Sequence, residues 1–421
     1  RTVYAWAMLC MLLAFGSAGA SDYSLEIFGN ANMDETIDER DITYVEGIIK
    51  GTNAATNLSD ANYDGKVDEN DINRIELIIA GEEKEITLID SAYRIITVEE
   101  PIKKIVVMNN EAAEIIRAFG IEDKIVGVSS GIANDKIFFS DFSDLPDVGT
   151  GSSPDYERIL ALKPDVLIYY SLYAPSAGKG AQELEKKLKK MDIKLVCLDC
   201  FYPQTMMQDV KKLSYLLGKK DEANEFIDWY EGYLDMIESR TEGLPKDKKP
   251  RVYIDSGSFN WGTSSNGSPD DAICTIAGGT NIAKDIIGST YSVFPTIDPE
   301  WVISQNPEVM VVCGVSGTLA SSGYDEDDAA AMDKFRETIK NSSELADITA
   351  IKNDKIFLIS PDITREPEFI VATAYLAKYL HPDLFNDLNP QEIHKEYLTR
   401  FQGLDFDLDK HGVFVYPPLE E

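Results

Sequence analysis

Short apolar runs of strand length recur between residues 105 and 359: IVVM (105–108), IVGV (125–128), VLIYY (166–170), LVCL (195–198), VYID (252–255), VMVV (309–312) and IFLI (356–359). Continuous β-branched runs without polar alternation mark strands buried on both faces, and the helical-period stretches between them predict a parallel α/β arrangement. ERILALKPDVLIYY (157–170) has an echo in EWVISQNPEVMVVC (300–313): Glu, an amphipathic stretch, Pro, an acid, then an apolar run. Pro164 and Pro307 each stop a helix. The repeat predicts two similar sheet-and-helix lobes, with a ligand held in the crevice between them. From Asp221 to Leu244, Ala223, Phe226, Ile227, Tyr230, Leu234 and Ile237 fall on one helical face. A helix of that length spans roughly 36 Å and can cross from one lobe to the other.

The N-terminal part has another rhythm. NANMDETIDERDITYVEGIIKG (30–51) recurs as DANYDGKVDENDINRIELIIAG (60–81). Oxygen side chains occupy positions one, three, five, nine and twelve of each copy: Asn30, Asn32, Asp34, Asp38 and Asp41, then Asp60, Asn62, Asp64, Asp68 and Asp71. That spacing is a calcium-loop pattern, in which short oxygen ligands on a tight turn surround a hard cation. Ile37 and Val67, at position eight, are expected to pack inward and let the loops pair back to back. A helix follows each loop, with Ile42, Val45, Ile48 and Ile49 or Ile72, Ile75, Ile78 and Ile79 at helical spacing, and stops at Gly51 or Gly81. Glu35 stands where the turn favours Gly, a place filled by Gly65 in the second copy, so the first loop is expected to bind calcium more weakly.

With 421 residues, 44% of them apolar, the chain has material for two or three domains with real cores. A net charge of −33 argues against nucleic acid or an anionic bilayer as partner. Residues 1–20, one Arg, an apolar core and a final Ala-Gly-Ala, have the form of a secretory signal peptide, which places the protein outside the cytoplasm; uncut, the segment is long enough for an anchor. Cys197 and Cys200 sit three apart in a strand-like stretch and point to opposite faces. With Cys274 and Cys313 they read first as buried thiols, with a local disulfide as the alternative.

The paired loops with their following helices, over residues 28–83, resemble a dockerin, the calcium-dependent module that docks onto a cohesin. The resemblance implies bound calcium and a cohesin partner. The recognition positions before the last ligand carry Glu39-Arg40 and Glu69-Asn70 in place of Ser-Thr-like pairs, so docking is less secured than calcium binding. The remainder resembles the solute-binding proteins of iron-chelate and cobalamin ABC importers. The resemblance rests on IVVMNNEAAEIIRAFGIEDKIVGVSS, ERILALKPDVLIYY, the long helix, IAGGTNIAKD and PTIDPEWVISQNPEVMVV. These readings together divide the chain into a signal peptide (1–20), the calcium module (21–83), a linker (84–92), a first lobe (93–218), an interlobe helix (219–246), and a second lobe with a C-terminal extension (247–421).

The family further implies that Glu157 and Glu300, one per lobe, dock into basic pockets of an ABC permease. Ligands of such folds sit at the carboxyl ends of the strands. The first lobe offers Asn109, Asn110, Ser129, Ser130, Tyr170, Tyr173, Phe201 and Tyr202 there; the second offers Ser258, Phe259, Trp261, Tyr291 and Arg365. Aromatic loop starts suit a large flat ligand, and Arg365 suits a ligand carboxylate. The three histidines lie at or beyond residue 381, which argues against Ser/His or Cys/His catalysis and against bare zinc or manganese as ligand. A metal chelate such as a ferric siderophore, haem or corrinoid fits better. The competing classes are a polysaccharide-active enzyme or a cell-surface protein carried by the dockerin.

Overall fold

The computed structural model describes residues 23–171, 180–191, 193–256, 261–286, 295–313, 321–364 and 367–419. The expected signal segment, and Tyr173, Ser258, Phe259, Tyr291 and Arg365, lie outside them.

Each of the seven apolar runs forms a strand. The strands are β1 (Glu85–Ile89), β2 (Ile95–Glu99), β3 (Ile105–Val107), β4 (Ile125–Val128), a small hairpin of β5 (Gly149–Thr150) and β6 (Ser153–Pro154), β7 (Val166–Tyr169), β8 (Lys194–Cys197), β9 (Arg251–Asp255), β10 (Thr280–Asn281), β11 (Val309–Val312), β12 (Ile356–Ile359) and β13 (Val415–Tyr416). Among the described residues two larger sheets form, ordered β4-β3-β7-β8 and β10-β9-β11-β12-β13. Up to β12 the neighbours pair in parallel in both, and β13 closes the second sheet antiparallel. Numbered within each half, the strand order is the same, two-one-three-four.

The helices used below are α1 (Glu39–Ile49), α2 (Glu69–Ala80), α3 (Asn110–Ala118), α4 (Ser130–Asn134), α5 (Tyr156–Leu162), α6 (Gly180–Lys189), α7 (Met206–Leu217), α8 (Lys220–Thr241), α9 (Pro269–Ile276), α10 (Pro299–Gln305), α11 (Ala330–Lys340), α12 (Thr349–Lys352), α13 (Phe369–Leu380) and α14 (Pro390–Glu396). The repeat noted in sequence is the pair α5-β7 and α10-β11. Each helix has seven residues, is capped by an aspartate (Asp155, Asp298), and ends on a left-handed residue, Lys163 or Asn306. The acid after each proline has a shared task. Asp165 accepts the N–H groups of Lys103 and Lys104 at 2.7 and 2.9 Å, and Glu308 accepts that of Arg251 at 2.9 Å. Each carboxylate thus pins the start of the neighbouring strand, β3 or β9.

The long helix appears as α8, 22 residues, and carries the chain from the first sheet towards the second. Its expected inner residues Ala223, Phe226, Ile227, Tyr230 and Ile237 are buried. Residues 84–92, expected as a linker, instead carry β1, which pairs with β2 and accepts the N-terminal segment on its other side through Phe28 N–H to Thr87 O and Ile89 N–H to Glu26 O, both 2.9 Å. The N-terminal module is therefore packed on the body: Leu25, Ile27, Ile37, Val45 and Ile75 share one apolar cluster with Ile86, Leu88, Leu213 and Leu216. In that module Ile49 is exposed, contrary to the inward face expected of it. The described cysteines are all free thiols; Cys197 ends β8 and Cys200 follows it, and the two are buried in different apolar clusters. Burial pushes the Cys197 thiol up to about 12, so it is inert.

Candidate functional site

A two-one-three-four parallel order has its switch point between the first and third strands, where the following connections diverge and leave a crevice at the carboxyl ends. In the first half that point lies between β3 and β7, and Asn110 and Tyr170 meet there. Tyr170 Oη accepts the Asn110 N–H at 3.2 Å and donates to Glu111 Oε2 at 2.6 Å. Glu111, buried in the first turn of α3, thus orients the tyrosine. Sequence reasoning passed over it, although an acid two residues beyond a strand-end asparagine was a visible signal. Phe201 and Tyr202, following β8, pack with centroids 4.2 Å apart, and Phe201 lies edge-on to Tyr170. Burial, and next the charge of Asp199, push Tyr202 up to about 12, so its hydroxyl remains a donor throughout the physiological range.

Three expected ligand residues are engaged by the fold. Asn109 is fully buried: its amide nitrogen donates to Leu198 O at 2.6 Å and Asp199 O at 3.3 Å, and its oxygen caps α3 at Ala112 N–H, 2.9 Å. Ser129 caps α4. Ser130 Oγ donates to Asp147 at 2.8 Å. Strand ends collect such residues because helices start there and need caps, the same place that ligands use.

In the second half, Trp261 stands beside the end of β9, since Thr263 bridges to Asp255, and its carbonyl accepts the Ile297 N–H at 2.9 Å. Asp255 and Asp199, both buried, put carboxylates at the ends of β9 and β8. Asp199 accepts Ser171 N–H at 2.7 Å and Ser171 Oγ–H. Size alone does not locate the site. A cavity of about 660 Å³, lined by Tyr375, Lys378, Leu388, Phe414 and Tyr416, lies at the β13 edge of the second sheet, between α13 and the C-terminal segment. A smaller one of about 210 Å³ lies where Phe138 of the first half meets Tyr324 of the second, ring centroids 5.0 Å apart.

Glu157 and Glu300 occupy the second position of α5 and α10, and both are exposed. Among the described residues no three His, Cys, Asp or Glu side chains converge as a metal group, and no helix is long and apolar enough to cross a membrane. The calcium-pattern residues form two helix-capping turns: Asp38 and Asp68 cap α1 and α2, with Asp41 and Asp71 returning the bond as capping boxes. Burial pushes Asp41 up to about 6. Ile37 is buried in the apolar cluster against which Val67 is partly buried, and its N–H donates to Tyr215 Oη on α7 at 3.0 Å.

The sheet order and the site at its switch point define a periplasmic-type binding fold. The family profile of periplasmic binding proteins matches residues 105–363, and the chain belongs to that family. It is 22% identical over 350 residues to the molybdate-binding protein MolA of Haemophilus influenzae, a match covering 75% of this chain and 90% of the relative. It is 23% identical over 221 residues to the vitamin B12-binding protein of Yersinia pestis, covering 52% and 71%. The TroA-like periplasmic binding protein FepB from Veillonella parvula superposes with a TM-score of 0.65 at 19% identity, covering 78% of this chain and 98% of that one. The chain is a solute-binding component of an ABC importer and not an enzyme.

Proposed function

We propose that this protein captures a chelated metal outside the cytoplasm, a ferric siderophore, haem or corrinoid, and delivers it to a membrane permease. The ligand lies between two lobes built on the two sheets, against Tyr170, Phe201, Tyr202 and Trp261. The observation that carries this reading is the duplicated unit of exposed glutamate, short helix, proline, acid and central strand, which puts Glu157 and Glu300 at equivalent points of the two halves. Two separated carboxylates on two lobes form an electrostatic key for basic pockets on a permease. Aromatic walls favour a broad ligand. Buried Glu111, Asp199 and Asp255 at the strand ends make a bare oxyanion such as molybdate the less favoured cargo. The N-terminal module binds calcium, chiefly through Asp60, Asn62, Asp64, Asp68 and Asp71, and presents its outer surface to a cohesin.

The test has two arms. Titration with a ferric siderophore, haem, cobalamin and molybdate, followed by tryptophan fluorescence, identifies the cargo; a response to molybdate alone overturns the chelate reading. Reversal of both glutamates (Glu157→Lys with Glu300→Lys) is expected to leave those titrations unchanged and abolish uptake in cells. Survival of uptake removes the docking role.

A further inference from the structure

The two loops share a repeat and most of a local structure: in each the third-position N–H bonds the twelfth carboxylate (Asn32 to Asp41 at 3.0 Å, Asn62 to Asp71 at 3.1 Å) and the capping boxes match, but the first and eleventh positions differ. In loop two Asp60 sits inside its turn, accepting the N–H groups of Asp64 at 3.0 Å and Gly65 at 2.8 Å, with Gly65 at φ +91°. In loop one the equivalent Asn30 is fully buried: its amide nitrogen donates to Leu25 O at 2.8 Å and, within the loop, to Asp34 O at 2.6 Å, its Oδ1 accepts no hydrogen bond among the described residues, and Glu35 takes no positive φ. The eleventh position differs as well. Arg40 of loop one places Nη1 3.0 Å from Asp34 and Nη2 2.8 Å from Asp38, whereas Asn70 of loop two is neutral. Among the described residues no Lys or Arg pairs with Asp60, Asp64, Asp68 or Asp71. Loop one is also the docking face, with Glu35 3.3 Å from Lys211 and Ile37 N–H on Tyr215 Oη, both on α7. Residues 63–66 of loop two are exposed.

We propose that loop one has exchanged its metal ion for the guanidinium of Arg40 and serves as a metal-independent joint between module and body, leaving loop two as the single cation loop. The inference rests on the calcium reading above for loop two only. A divalent ion entering loop one must displace a guanidinium already bridging two of its would-be ligands, and it meets a neutral amide at the first position where loop two offers the Asp60 carboxylate. Each of these opposes binding, and neither exists in loop two.

Calorimetric titration of the full chain with calcium is expected to give one ion per chain, lost in Asp64→Asn and retained in Asp34→Asn. Two ions in the wild type, or loss of the ion in Asp34→Asn, overturns the proposal while leaving the calcium reading intact. A metal-free arm stands apart from that reading. In EDTA at low salt, Arg40→Gln is expected to lower the melting temperature by about 2 °C, with the loss shrinking as salt screens the remaining carboxylates. Zero calcium in the wild type with that loss present refutes the calcium reading and supports the joint; no loss in EDTA overturns the joint.

Discussion

The two halves repeat one strand order, yet they are finished differently. The first sheet ends at β8, whereas the second is closed by β13, just before which Phe414 packs on His394, ring centroids 4.5 Å apart. The chain between α13 and β13 then returns to the first half. Tyr397 Oη donates to buried Glu114 on α3, and Arg117 on the same helix reaches Gln402 Oε1 at 2.7 Å, Phe138 O at 2.7 Å and Asp141 at 2.9 Å. The guanidinium also stacks over Phe138 and Phe139, 4.6 and 5.1 Å from their centroids. Duplication explains the scaffold; the unshared C-terminal segment explains how the halves are held. It ties α3, which carries Glu111 at the candidate site, to the second half.

The largest effect is expected from breaking that tie. Arg117→Ala takes the donor from the Phe138 carbonyl and from Gln402 Oε1, and should cost about 3 kcal/mol in urea unfolding. A cost below about 1 kcal/mol would mean that the segment merely lies along α3. A pH experiment probes the second-half side of the tie. His394 is fully buried with Nε2 2.7 Å from Tyr324 Oη, and Tyr324 donates to Glu368; burial holds the imidazole down at about 3. Its unfolded value is near 6.5, so below that pH the unfolded chain takes up a proton that the folded one refuses, and stability falls as pH drops from about 6.5 towards 3. Between pH 7 and 5 the loss should be about 2 kcal/mol. Burial raises Asp362 to about 6 and Glu368 upward, so their contributions are full at low pH and fade as pH rises through the folded values. The histidine share is therefore read as the difference between wild type and His394→Gln, and identical pH profiles would remove it.

A smaller pair of substitutions compares the halves directly. Asp165 pins two N–H groups of its neighbouring strand and Glu308 one, and both acids are exposed. Asp165→Ala should cost about 1 kcal/mol and Glu308→Ala about half as much, by urea midpoints. The reverse order would show that the shared acid is not what sets the register of β3 and β9.

Local signals account for what the sequence made legible. The seven strands were readable because runs such as VLIYY and IFLI are buried on both faces and need no partner to be recognised. Helix α8 and the α5-β7 and α10-β11 units were readable from periodicity and from Pro164 and Pro307. What stayed hidden depends on distant residues. Nothing in residues 84–92 announces that β1 accepts residues 26–28 along one edge, and nothing near Asn109 says that Leu198 O lies within reach of its amide. Arg40 was visible, but that its guanidinium bridges Asp34 and Asp38 is a fact of rotamers.

The smallest expected change is one of shape. Among the described residues α8, which buries one face, and the Tyr397–Gln402 segment, tied to α3 through Glu114 and Arg117, both join the halves. Hinge closure needs a few residues free to absorb large backbone changes, and a 22-residue helix doubled by a buried polar tie supplies none. With cobalamin bound, the radius of gyration by solution scattering should therefore stay within about 1 Å of the free value. Arg117→Ala sharpens the point: if the tie does the restraining, this variant should contract on binding where the wild type does not. A wild type that contracts by several ångströms would place a hinge in the connections and leave α8 as a passive strut.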